Sequence, residues 1–455
     1  MTRFGSLADS PTSLLLAGVR AIDPAAGTEV THDLGVHDGR IVEPAALPAD
    51  ALRVDASGLL AMPALCDLHA HLRQPGGETA ETIESGARAA AHGGYATVCA
   101  MPNTDPPLDE AARVAYVQQL ASRAAARVRV IAAATRGRAG EQPTELGELA
   151  SLGIVGVSDD GATIASPRVA RALLTYLAPL ALPLLEHAED PALADGAVMR
   201  AGATATRLGL GGWPASAELT VVERDIALAA ETGGWVHITH LSTAAALEAV
   251  RRARAAGTRV TCDVTPHHLA MTDAWVAGDR TFSWEAAGGR SLDEALAYDA
   301  ACRVNPPLGT REDALALLAG VEDGTVDAIA TDHAPHPPER KSVEFADAAP
   351  GMIGLEIALS LGLAAVAGGA LSLRSLVAAL STRPAALIGE RRSLAPGSAA
   401  DLVLVDAHGT WRVEPGALAS ASSNTPLLGR ELPGVVRLTL ADGRLTYADG
   451  LPPLD

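Results

Sequence analysis

The sequence predicts an α/β fold, a (β/α)8 barrel of the TIM type with a small β-sandwich domain formed from both termini. Three observations lead to this prediction. Eight short apolar runs follow one another from residue 59 onward, and stretches with helical periodicity separate most of them. Both ends of the chain instead alternate apolar and polar residues and carry turn residues. Apolar strands that alternate with helices are typical of a parallel sheet buried on both faces, and eight such units close into a barrel.

The eight apolar runs are predicted to be the barrel strands. In chain order they are LLAMPALCDLH, YATVCAM, RVRVIAAA, IVGVSDD, LPLLEH, WVHITH, TRVTCDV and VDAIATD. The clearest predicted helices lie between them, in ETIESGARAAAHGG, PRVARALLTYLA and TAAALEAVRRARAAG. A doubly wound open sheet is the alternative fold. It needs a glycine-rich phosphate turn after its first strand, and the sequence has none there.

The two ends of the chain are predicted to meet in one domain. The N-terminal SLLLAGVRAIDPAAGTEVTHDLGVHDGRIVE and the C-terminal AADLVLVDAHGTWRVE and GVVRLTLADGRLTYADG have the alternation of short antiparallel strands. The final ADG indicates a hairpin turn. We therefore expect residues 1–61 and 389–455 to form the β-sandwich and residues 62–388 to form the barrel.

The composition excludes several classes of function. The 35 basic and 54 acidic residues give the 455-residue chain a formal charge of −19, which argues against nucleic-acid and anionic-membrane partners. The four cysteines are far apart, as in proteins of a reducing cytoplasm, and are predicted to be packing residues. The N-terminal apolar run is too short for a signal peptide, and IALSLGLAAVAGGALSL is predicted to be a buried helix rather than a membrane span. We expect a cytoplasmic enzyme for a small molecule.

Polar residues interrupt the apolar pattern at or just beyond the ends of the predicted strands, where a barrel builds its active site. In chain order they are His69, His71, Asn103, Asp159, Asp160, His187, His240, His267, His268 and Asp332. Each residue alone is more often a cap or a hydrogen-bonded core residue than a ligand. Their joint placement at one rim is difficult to explain by packing, because unpaired buried polar groups are costly.

Histidines and carboxylates in these numbers suit zinc or a similar divalent ion. They are too many for one tetrahedral site with an open position. Two metal ions that share a carboxylate would use them economically and could hold a bridging hydroxide at neutral pH. An aspartate beside that hydroxide could collect its proton and deliver it to a leaving group.

An ordered series of motifs resembles the dihydroorotases of the amidohydrolase superfamily. The series begins with DLHAHLRQPGGETAETIESGARAAAHGGYATVCAMPNTDP and continues with SDDG, EHAED, THLST, VTPHHL, RVNPPL, IATDHAPH and NTPLLGRELPGVVRLTLADGRL. The resemblance therefore covers nearly the whole chain. It implies the reversible cyclisation of N-carbamoyl-L-aspartate to L-dihydroorotate and water, a step of pyrimidine synthesis.

The resemblance also implies a metal-ligand set with two zinc ions per subunit. His69, His71 and Asp332 would bind the first ion, and His187 and His240 the second. One branch of the family bridges its metals with a carboxylated lysine after the fourth strand. The only lysine here, Lys341, lies beyond the eighth strand, so the resemblance to the SDDG branch makes Asp160 the bridging ligand. Asp159 is expected to orient a ligand.

The substrate contacts follow from the same resemblance. Arg73, two residues after His71, is expected to hold the ring carboxylate, because a guanidinium fork matches a carboxylate with two hydrogen bonds. The other expected contacts are His71, Asn103, Asn305, His336, and the backbone of Pro350 and Gly351. Asp332 is expected to be the general base that takes a proton from the hydroxide and passes it to the departing amide nitrogen.

Two alternative functions remain open. Other cyclic-amide hydrolases, namely hydantoinase, dihydropyrimidinase and allantoinase, usually resemble the carboxylated-lysine branch and need no arginine for a ring carboxylate. An inactive homologue that serves as a scaffold for aspartate carbamoyltransferase should have lost metal ligands. A homodimer would be usual, and association with aspartate carbamoyltransferase as an active enzyme is possible.

Four other histidines and one long segment lie outside the expected ligand set. Four histidines are expected to be structural or to support ligands, namely His237, His267, His268 and His333. The segment between VTPHHL and RVNPPL is longer than the family usually has. It could be a lid, an interface element or an ordered surface insertion.

Overall fold

The computed structural model describes residues 2–286 and 293–451. The strands among these residues are β1 (Arg3–Phe4), β2 (Leu14–Asp23), β3 (Thr28–His37), β4 (Arg40–Val42), β5 (Leu52–Asp55), β6 (Leu60–Pro63), β7 (Leu65–Ala70), β8 (Tyr95–Ala100), β9 (Arg127–Ala133), β10 (Gly156–Ser158), β11 (Pro183–Glu186), β12 (Met199–Arg200), β13 (Gly212–Trp213), β14 (Trp235–Ile238), β15 (Val260–Val264), β16 (Ala328–Ile329), β17 (Leu402–Arg412), β18 (Glu431–Ala441) and β19 (Arg444–Ala448).

The helices divide the barrel strands from one another. They are α1 (Ile83–His92), α2 (Ala111–Ala121), α3 (Leu146–Ser151), α4 (Pro167–Leu177), α5 (Ala203–Leu208), α6 (Ala215–Thr232), α7 (Ala244–Ala255), α8 (Pro266–Ala270), α9 (Arg311–Asp323), α10 (Pro338–Lys341), α11 (Ala358–Ala367), α12 (Leu373–Val377) and α13 (Arg383–Leu387). A π-helical turn, Ala378–Thr382, joins the last two.

Eight parallel strands form the predicted barrel, one from each apolar run. They pair in the order β7-β8-β9-β10-β11-β14-β15-β16. A parallel bridge between Ala70 and His333 and a 2.8 Å hydrogen bond from the His71 amide to the His333 carbonyl close the seam between the first and last strands. The prediction of a (β/α)8 barrel is confirmed.

The barrel interior is filled by apolar side chains, so it is a core rather than a channel. Every residue of β7 and β8 is buried. Because strand residues alternate between faces, one set packs inward and the other packs under the helices. The inward set includes Leu68, Cys99, Ile131, Leu185 and Ala328.

The helices form where the sequence supplies an apolar stripe and a start signal. In α4, Val169, Ala170, Leu173, Leu174 and Leu177 are buried, a helical spacing that covers the barrel wall. Helix α11 lies within the stretch IALSLGLAAVAGGALSL and is largely buried, as predicted. None of the helices among the described residues is long and apolar enough to cross a membrane.

The strands of both termini form one nine-stranded sheet beside the barrel. Its order is β1-β19-β18-β17-β6-β2-β3-β4, and β5 pairs with β2. Residues from the two termini share one apolar core, to which Leu16, Leu34, Val54, Leu404 and Leu438 belong. A small β domain made from both termini is therefore confirmed. Its boundaries after residues 61 and 388 stay a prediction.

The long segment before Asn305 packs on a small core of its own. Trp275 and Phe282 stack with ring centroids 5.9 Å apart, and the cluster around them includes Phe345 and Met352. The described part of the segment is therefore anchored to the loop that precedes α11. Residues 287–292 of the segment lie outside the described residues. The four cysteines are buried and free, as expected for packing residues.

A buried cluster of charges joins the barrel to the terminal sheet. The Asp401 carboxylate pairs with Arg392 and with Arg127, the first residue of β9 in the barrel sheet. Asp401 also accepts the amide of Asp442 at 2.7 Å. Burial opposes ionisation, but the two arginines outweigh it and hold the pKa of Asp401 below its ordinary value. The interface thus contains a buried ionised carboxylate that two arginines share.

Asp401→Ala is expected to lower the free energy of unfolding by about 3–5 kcal/mol, because it leaves two largely buried guanidinium groups without their shared partner. Chemical denaturation of the purified protein would measure the change. Glu29→Ala is the matched control, since Glu29 pairs with Arg20 on the exposed surface, where ion pairs contribute little. Equal effects of the two variants would contradict the role given to Asp401.

Candidate metal and substrate site

The carboxyl ends of the barrel strands bring the predicted ligands together. His69 lies on β7 and His71 directly follows it, whereas the other ligands lie one to three residues beyond the ends of β10, β11, β14 and β16. Two groups of side chains have one ligand atom each within 4.8 Å of one another, and the groups are His69–His71–Asp160 and Asp160–His187–His240. Asp160 belongs to both groups. The arrangement is that of two adjacent cation sites with a shared carboxylate.

The first group lies around the Nε2 atoms of His69 and His71. His69 Nε2 is 3.5 Å from Asp160 Oδ1 and 3.6 Å from Asp332 Oδ1. His71 Nε2 is 3.6 Å from Asp160 Oδ2 and 3.0 Å from Asp332 Oδ1. The two oxygens of Asp160 therefore face different histidines, and Asp332 completes this group.

The second group lies on the other side of Asp160. His187 Nδ1 is 3.6 Å and His240 Nε2 is 3.5 Å from Asp160 Oδ1. The two imidazole nitrogens are 2.9 Å apart. All three side chains are buried.

The donor set fits divalent metal ions. His69 Nε2 and Asp160 Oδ1, which lie 3.5 Å apart, are both buried without a hydrogen-bond partner in the described structure. Such orphaned atoms are costly unless a cation satisfies them. Tetrahedral zinc with bonds of about 2.0–2.1 Å places its ligand atoms roughly 3.3 Å apart, close to the 3.5 and 3.6 Å separations of the two groups.

The electrostatics of the cluster favour cations. Burial opposes the ionisation of Asp160, but His69, His187 and His240 hold its pKa well below the ordinary value. Burial likewise raises the pKa of Asp332, but the contact with His71 and the charge of His69 more than offset it and hold this pKa below its ordinary value. Burial lowers the pKa of His69 and of His187, but Asp160 more than offsets it and raises these pKa values to about 9 and about 10. The raised pKa values mean that protons bind the imidazoles of His69 and His187 beside Asp160, and a metal ion would compete with these protons for the same ligand atoms.

Asn103 fixes the tautomer of His71. The Asn103 Oδ1 atom lies 2.8 Å from His71 Nδ1. An amide oxygen only accepts, so Nδ1 carries the proton and Nε2 presents its lone pair to the first group. Asn103 Nδ2 is also 3.4 Å from Asp160 Oδ2. Asn103 thus orients the first group from its outer side.

Carboxylates that the sequence analysis did not select support the ligands. Asp67 accepts the amides of His69 at 3.2 Å and Thr331 at 2.8 Å. Asp263 accepts the His240 amide at 2.7 Å and lies 2.9 Å from His237 Nε2. Both aspartates directly follow a cysteine in an apolar strand run, and this local pattern is the only signal that could have identified them.

Glu189 and Arg138 are two further supporting residues that the sequence analysis missed. Glu189 Oε2 lies 3.6 Å from His187 Nε2 and accepts a 2.9 Å hydrogen bond from Asn305 Nδ2. A carboxylate behind a ligand histidine is a recurrent support of metal sites. Arg138 donates to the carbonyl of Asp160 at 2.6 Å. Glu189 lies in the EHAED motif, whereas nothing local distinguishes Arg138.

Arg73 lies beside the first group. Its Nε donates to the Pro335 carbonyl at 3.1 Å, and burial lowers the pKa of its guanidinium. Its φ is 58°, and His240 and Asp332 have φ values of 38° and 46°. Left-handed backbone at non-glycine residues is costly and is typical of functional sites.

His336, Pro350 and Gly351 form a wall of the predicted substrate site near Arg73, called the substrate wall below. His336 Nε2 lies 2.8 Å from the Pro350 carbonyl, so this nitrogen donates. Burial and the charge of Arg73 lower the pKa of His336 to about 3, which keeps the ring neutral. Gly351 has φ 133°, and a Cβ there would lie 2.6 Å from Ala334 Cβ. Only glycine fits this turn without displacement.

Three of the other polar residues of the rim, Asp159, His268 and His333, have hydrogen-bond partners outside the ligand groups. Asp159 accepts the amide of Thr135 at 2.9 Å and a short hydrogen bond from its hydroxyl. His268 Nε2 lies 3.0 Å from the Pro306 carbonyl, and His333 Nε2 lies 3.2 Å from Glu81. His267 Nε2 is buried without a partner, and burial lowers the pKa of this ring to about 4.

Comparison with known proteins identifies the family. A family model described as Dihydro-orotase-like matches residues 58–246. A dihydroorotase from Anaeromyxobacter sp. (strain K) is 45% identical over 442 residues, which cover 96% of this chain and 98% of the relative. The chain belongs to the dihydroorotase family. A second dihydroorotase, from Pelotomaculum thermopropionicum, is 41% identical over 441 residues, which cover 96% and 99% of the two chains.

Solved structures of hydantoinases and dihydropyrimidinases have the same fold. L-hydantoinase (dihydropyrimidinase) from Arthrobacter aurescens superposes with a TM-score of 0.81 at 23% identity, covering 96% of this chain and 97% of that one. Dihydropyrimidinase from Brevibacillus agri gives 0.79 at 21% identity, covering 95% of each chain. At this identity the likeness concerns the fold. The dihydroorotase family is metal-dependent, its members are cyclic-amide hydrolases, and the resemblance inferred from the motifs is confirmed.

Proposed function

We propose that this chain catalyses the reversible cyclisation of N-carbamoyl-L-aspartate to L-dihydroorotate and water, with two zinc ions per subunit. The observation that carries the proposal is the pair of His/Asp groups that share Asp160 beside the partly buried guanidinium of Arg73. A divalent pair next to a fixed cation suits a substrate that carries both an amide to be opened and a carboxylate to be held.

His69, His71 and Asp332 would hold one ion, His187 and His240 the other, and Asp160 both. When bound, such a pair supplies a nucleophile from water at neutral pH and polarises the carbonyl that is attacked. The protein supplies the ligand geometry through Asn103, Asp263 and the other supporting residues described above.

The proton transfers are assigned to Asp332. In the hydrolytic direction its carboxylate takes a proton from the water that adds to the ring carbonyl carbon. It then passes the proton to the amide nitrogen as the carbon–nitrogen bond breaks. In the cyclising direction the same carboxylate removes a proton from the ureido nitrogen. Its lowered pKa keeps it ionised before the transfer.

The remaining residues are assigned to the substrate. Arg73 would bind the ring carboxylate with two hydrogen bonds, and His71, Asn103 and the neutral His336 would surround it. Asn305 and the backbone of Pro350 and Gly351 would contact the pyrimidine ring. The motifs that carry these positions resemble the family pattern, and the contacts of Asn103 with His71, of Asn305 with Glu189 behind His187, and of His336 with Pro350 support the assignment.

The setting of the enzyme is part of the proposal. We expect a cytoplasmic homodimer, with association with aspartate carbamoyltransferase as an additional possibility. An inactive scaffold homologue is disfavoured because all six ligand positions are filled. Light scattering of the purified protein, alone and with aspartate carbamoyltransferase, tests both assemblies.

A metal-supplemented assay with dihydroorotate, hydantoin and dihydrouracil side by side tests the function. We expect turnover of dihydroorotate and little turnover of the two rings that lack a carboxylate. A preference for hydantoin or dihydrouracil would assign the chain to the alternative hydrolases. Inactivity on all three rings with metal bound would support the scaffold.

Arg73→Ala is expected to reduce kcat/KM for dihydroorotate by roughly a hundredfold or more, since charge-assisted bonds to a carboxylate in a desolvated site contribute several kcal/mol. The metal content should stay near that of the wild type. Steady-state kinetics and metal analysis of the same preparation measure both quantities.

Arg73→Lys is the matched control, because it keeps the charge and loses the fork. We expect it to recover part of the activity lost in Arg73→Ala. A variant that loses its metal together with its activity would reject the substrate-binding role of Arg73.

A further inference from the structure

The only lysine of the chain donates to three backbone carbonyls. Lys341 ends α10, and its Nζ lies 2.8 Å from the Ala349 oxygen, 3.0 Å from the Gly351 oxygen and 3.3 Å from the Arg303 oxygen. An ammonium group has three protons, so the three carbonyls can use all of its donors. None of these partners is a carboxylate.

The three carbonyls lie around the proposed substrate residues. Ala349 and Gly351 flank Pro350, and Arg303 lies two residues before Asn305. The Gly351 amide donates to the Arg303 carbonyl at 2.8 Å, so the two segments are also joined directly. Lys341 therefore holds the Pro350–Gly351 turn and the Arg303–Asn305 segment together at one point.

Asn424 holds the substrate wall from the C-terminal side. Its Nδ2 donates to the Ala334 carbonyl at 3.0 Å and to the Gly351 carbonyl at 3.2 Å, and its Oδ1 accepts the His336 amide at 3.0 Å. Lys341, His336 and Asn424 line one cavity of about 830 Å³. Lys341 and Asn424 therefore reach the Pro350–Gly351 turn from the side of this cavity.

A lysine in this position has an energetic cost that a purely structural residue could avoid. Burial lowers the pKa of Lys341 to about 8, because the charged form is removed from water without an acidic partner in contact. An apolar side chain would avoid that cost but would leave the three carbonyls without their shared donor. The geometry therefore indicates that holding the three carbonyls in fixed positions outweighs the free-energy cost of burying the ammonium group.

We propose that Lys341 is a positioning residue for substrate binding, which fixes the Pro350–Gly351 turn and the Arg303–Asn305 segment against each other. The inference rests on the proposed function, because it concerns the same substrate wall. Lys341 touches neither the ligand groups nor the reacting atoms. Its loss should therefore weaken binding of dihydroorotate more than it slows the chemical step.

Lys341→Met keeps the length of the side chain and removes the charge and the donors. We expect KM for dihydroorotate to rise roughly ten- to hundredfold, in line with the loss of hydrogen bonds from a charged group. We expect kcat to change much less, and the metal content and Tm to stay near those of the wild type. Steady-state kinetics, metal analysis and thermal unfolding measure these quantities on one preparation.

Arg340→Met is the matched control, because Arg340 is the neighbouring basic residue of the same helix and its side chain is exposed. Its KM should equal that of the wild type. Lys341→Arg should recover only part of the binding, since a planar fork cannot direct three donors to one point as an ammonium does. Full recovery of dihydroorotate binding in Lys341→Arg would assign the effect to charge alone and overturn the positioning role of Lys341.

A second measurement uses the uniqueness of the lysine. Reductive methylation modifies Lys341 and the α-amino group, and a dimethylated ammonium keeps its charge but has one proton left. The modified enzyme should show a raised KM, and dihydroorotate should slow the modification. Modified Lys341→Met serves as the control for the α-amino group.

The outcomes are distinguishable. A wild type that turns over dihydroorotate, together with a Lys341→Met variant of unchanged KM, would overturn this inference alone. A lower Tm with unchanged KM would show a structural role only and would also overturn it. A wild type without activity on dihydroorotate would remove the proposed function and this inference with it.

Discussion

Asp160→Ala is expected to abolish turnover and to lower the bound metal by at least one equivalent. Asp160 faces both groups of ligand atoms, at 3.5 to 3.6 Å from the histidines, so its removal takes a ligand from each. The loss of an outer support alone costs about ten- to a hundredfold in metal affinity, and the loss of a shared ligand should cost more. Elemental analysis after dialysis, together with the dihydroorotate assay, measures the effect.

Asp159→Ala is the matched control for this variant. Asp159 is the adjacent residue and is also buried, but its carboxylate binds Thr135 instead of the ligand groups. We expect Asp159→Ala to retain its metal content. An unchanged stoichiometry in Asp160→Ala would assign the bridge to Asp159 or reduce the site to one metal ion.

Asp332→Asn is expected to lower kcat by about 10²–10⁴, the usual contribution of a positioned proton-transfer group, while binding of dihydroorotate stays measurable. The amide keeps the size of the side chain and an oxygen toward His71, but it cannot accept the proton. Stopped-time assays at high enzyme concentration measure the residual kcat, and calorimetric titration measures binding.

The metal content of Asp332→Asn has to be determined on the same sample, because Asp332 is also assigned to the first group. Asp332→Glu keeps a carboxylate and should recover more activity than the asparagine variant. An Asp332→Asn enzyme with wild-type turnover would remove the general-base assignment.

The barrel could be predicted because its signal is local. Each strand run is apolar on both faces, and this pattern is visible without knowing which strands are neighbours. The strand lengths could not be predicted in the same way. The run VDAIATD yields only Ala328–Ile329 as strand, because the chain beyond it is held by the Asp67 side chain rather than by a ladder.

The terminal sheet could be predicted only in outline. Alternation identified strands at both ends of the chain, but not that β6 would lie between β17 and β2. That order pairs residues such as Met62 and Val403, which are separated by most of the chain. Such pairings are decided by the shared core, and no short stretch of sequence encodes them.

The proposed metal ligands could be predicted from the sequence, whereas Asp67, Asp263 and Arg138, which hold those ligands in place, could not. A histidine at the end of an apolar strand is unusual enough to be noticed, and four such histidines in order with two aspartates are specific. Asp67, Asp263 and Arg138 act through contacts with residues distant in sequence or through backbone groups. One sequence without its tertiary contacts cannot distinguish them from ordinary strand or loop residues.

The seam of the barrel has a consequence for how the protein reaches its active form. His69 and Asp332 belong to the first and last barrel strands, and Asp67 and Thr331 join those strands beside them. Contacts of such large sequence separation form late and slowly in folding. A chain still being synthesised could assemble the His187–His240 pair, but the first group has to wait until residue 332 has docked. Acquisition of full metal affinity should therefore coincide with completion of the barrel and report the last step of folding.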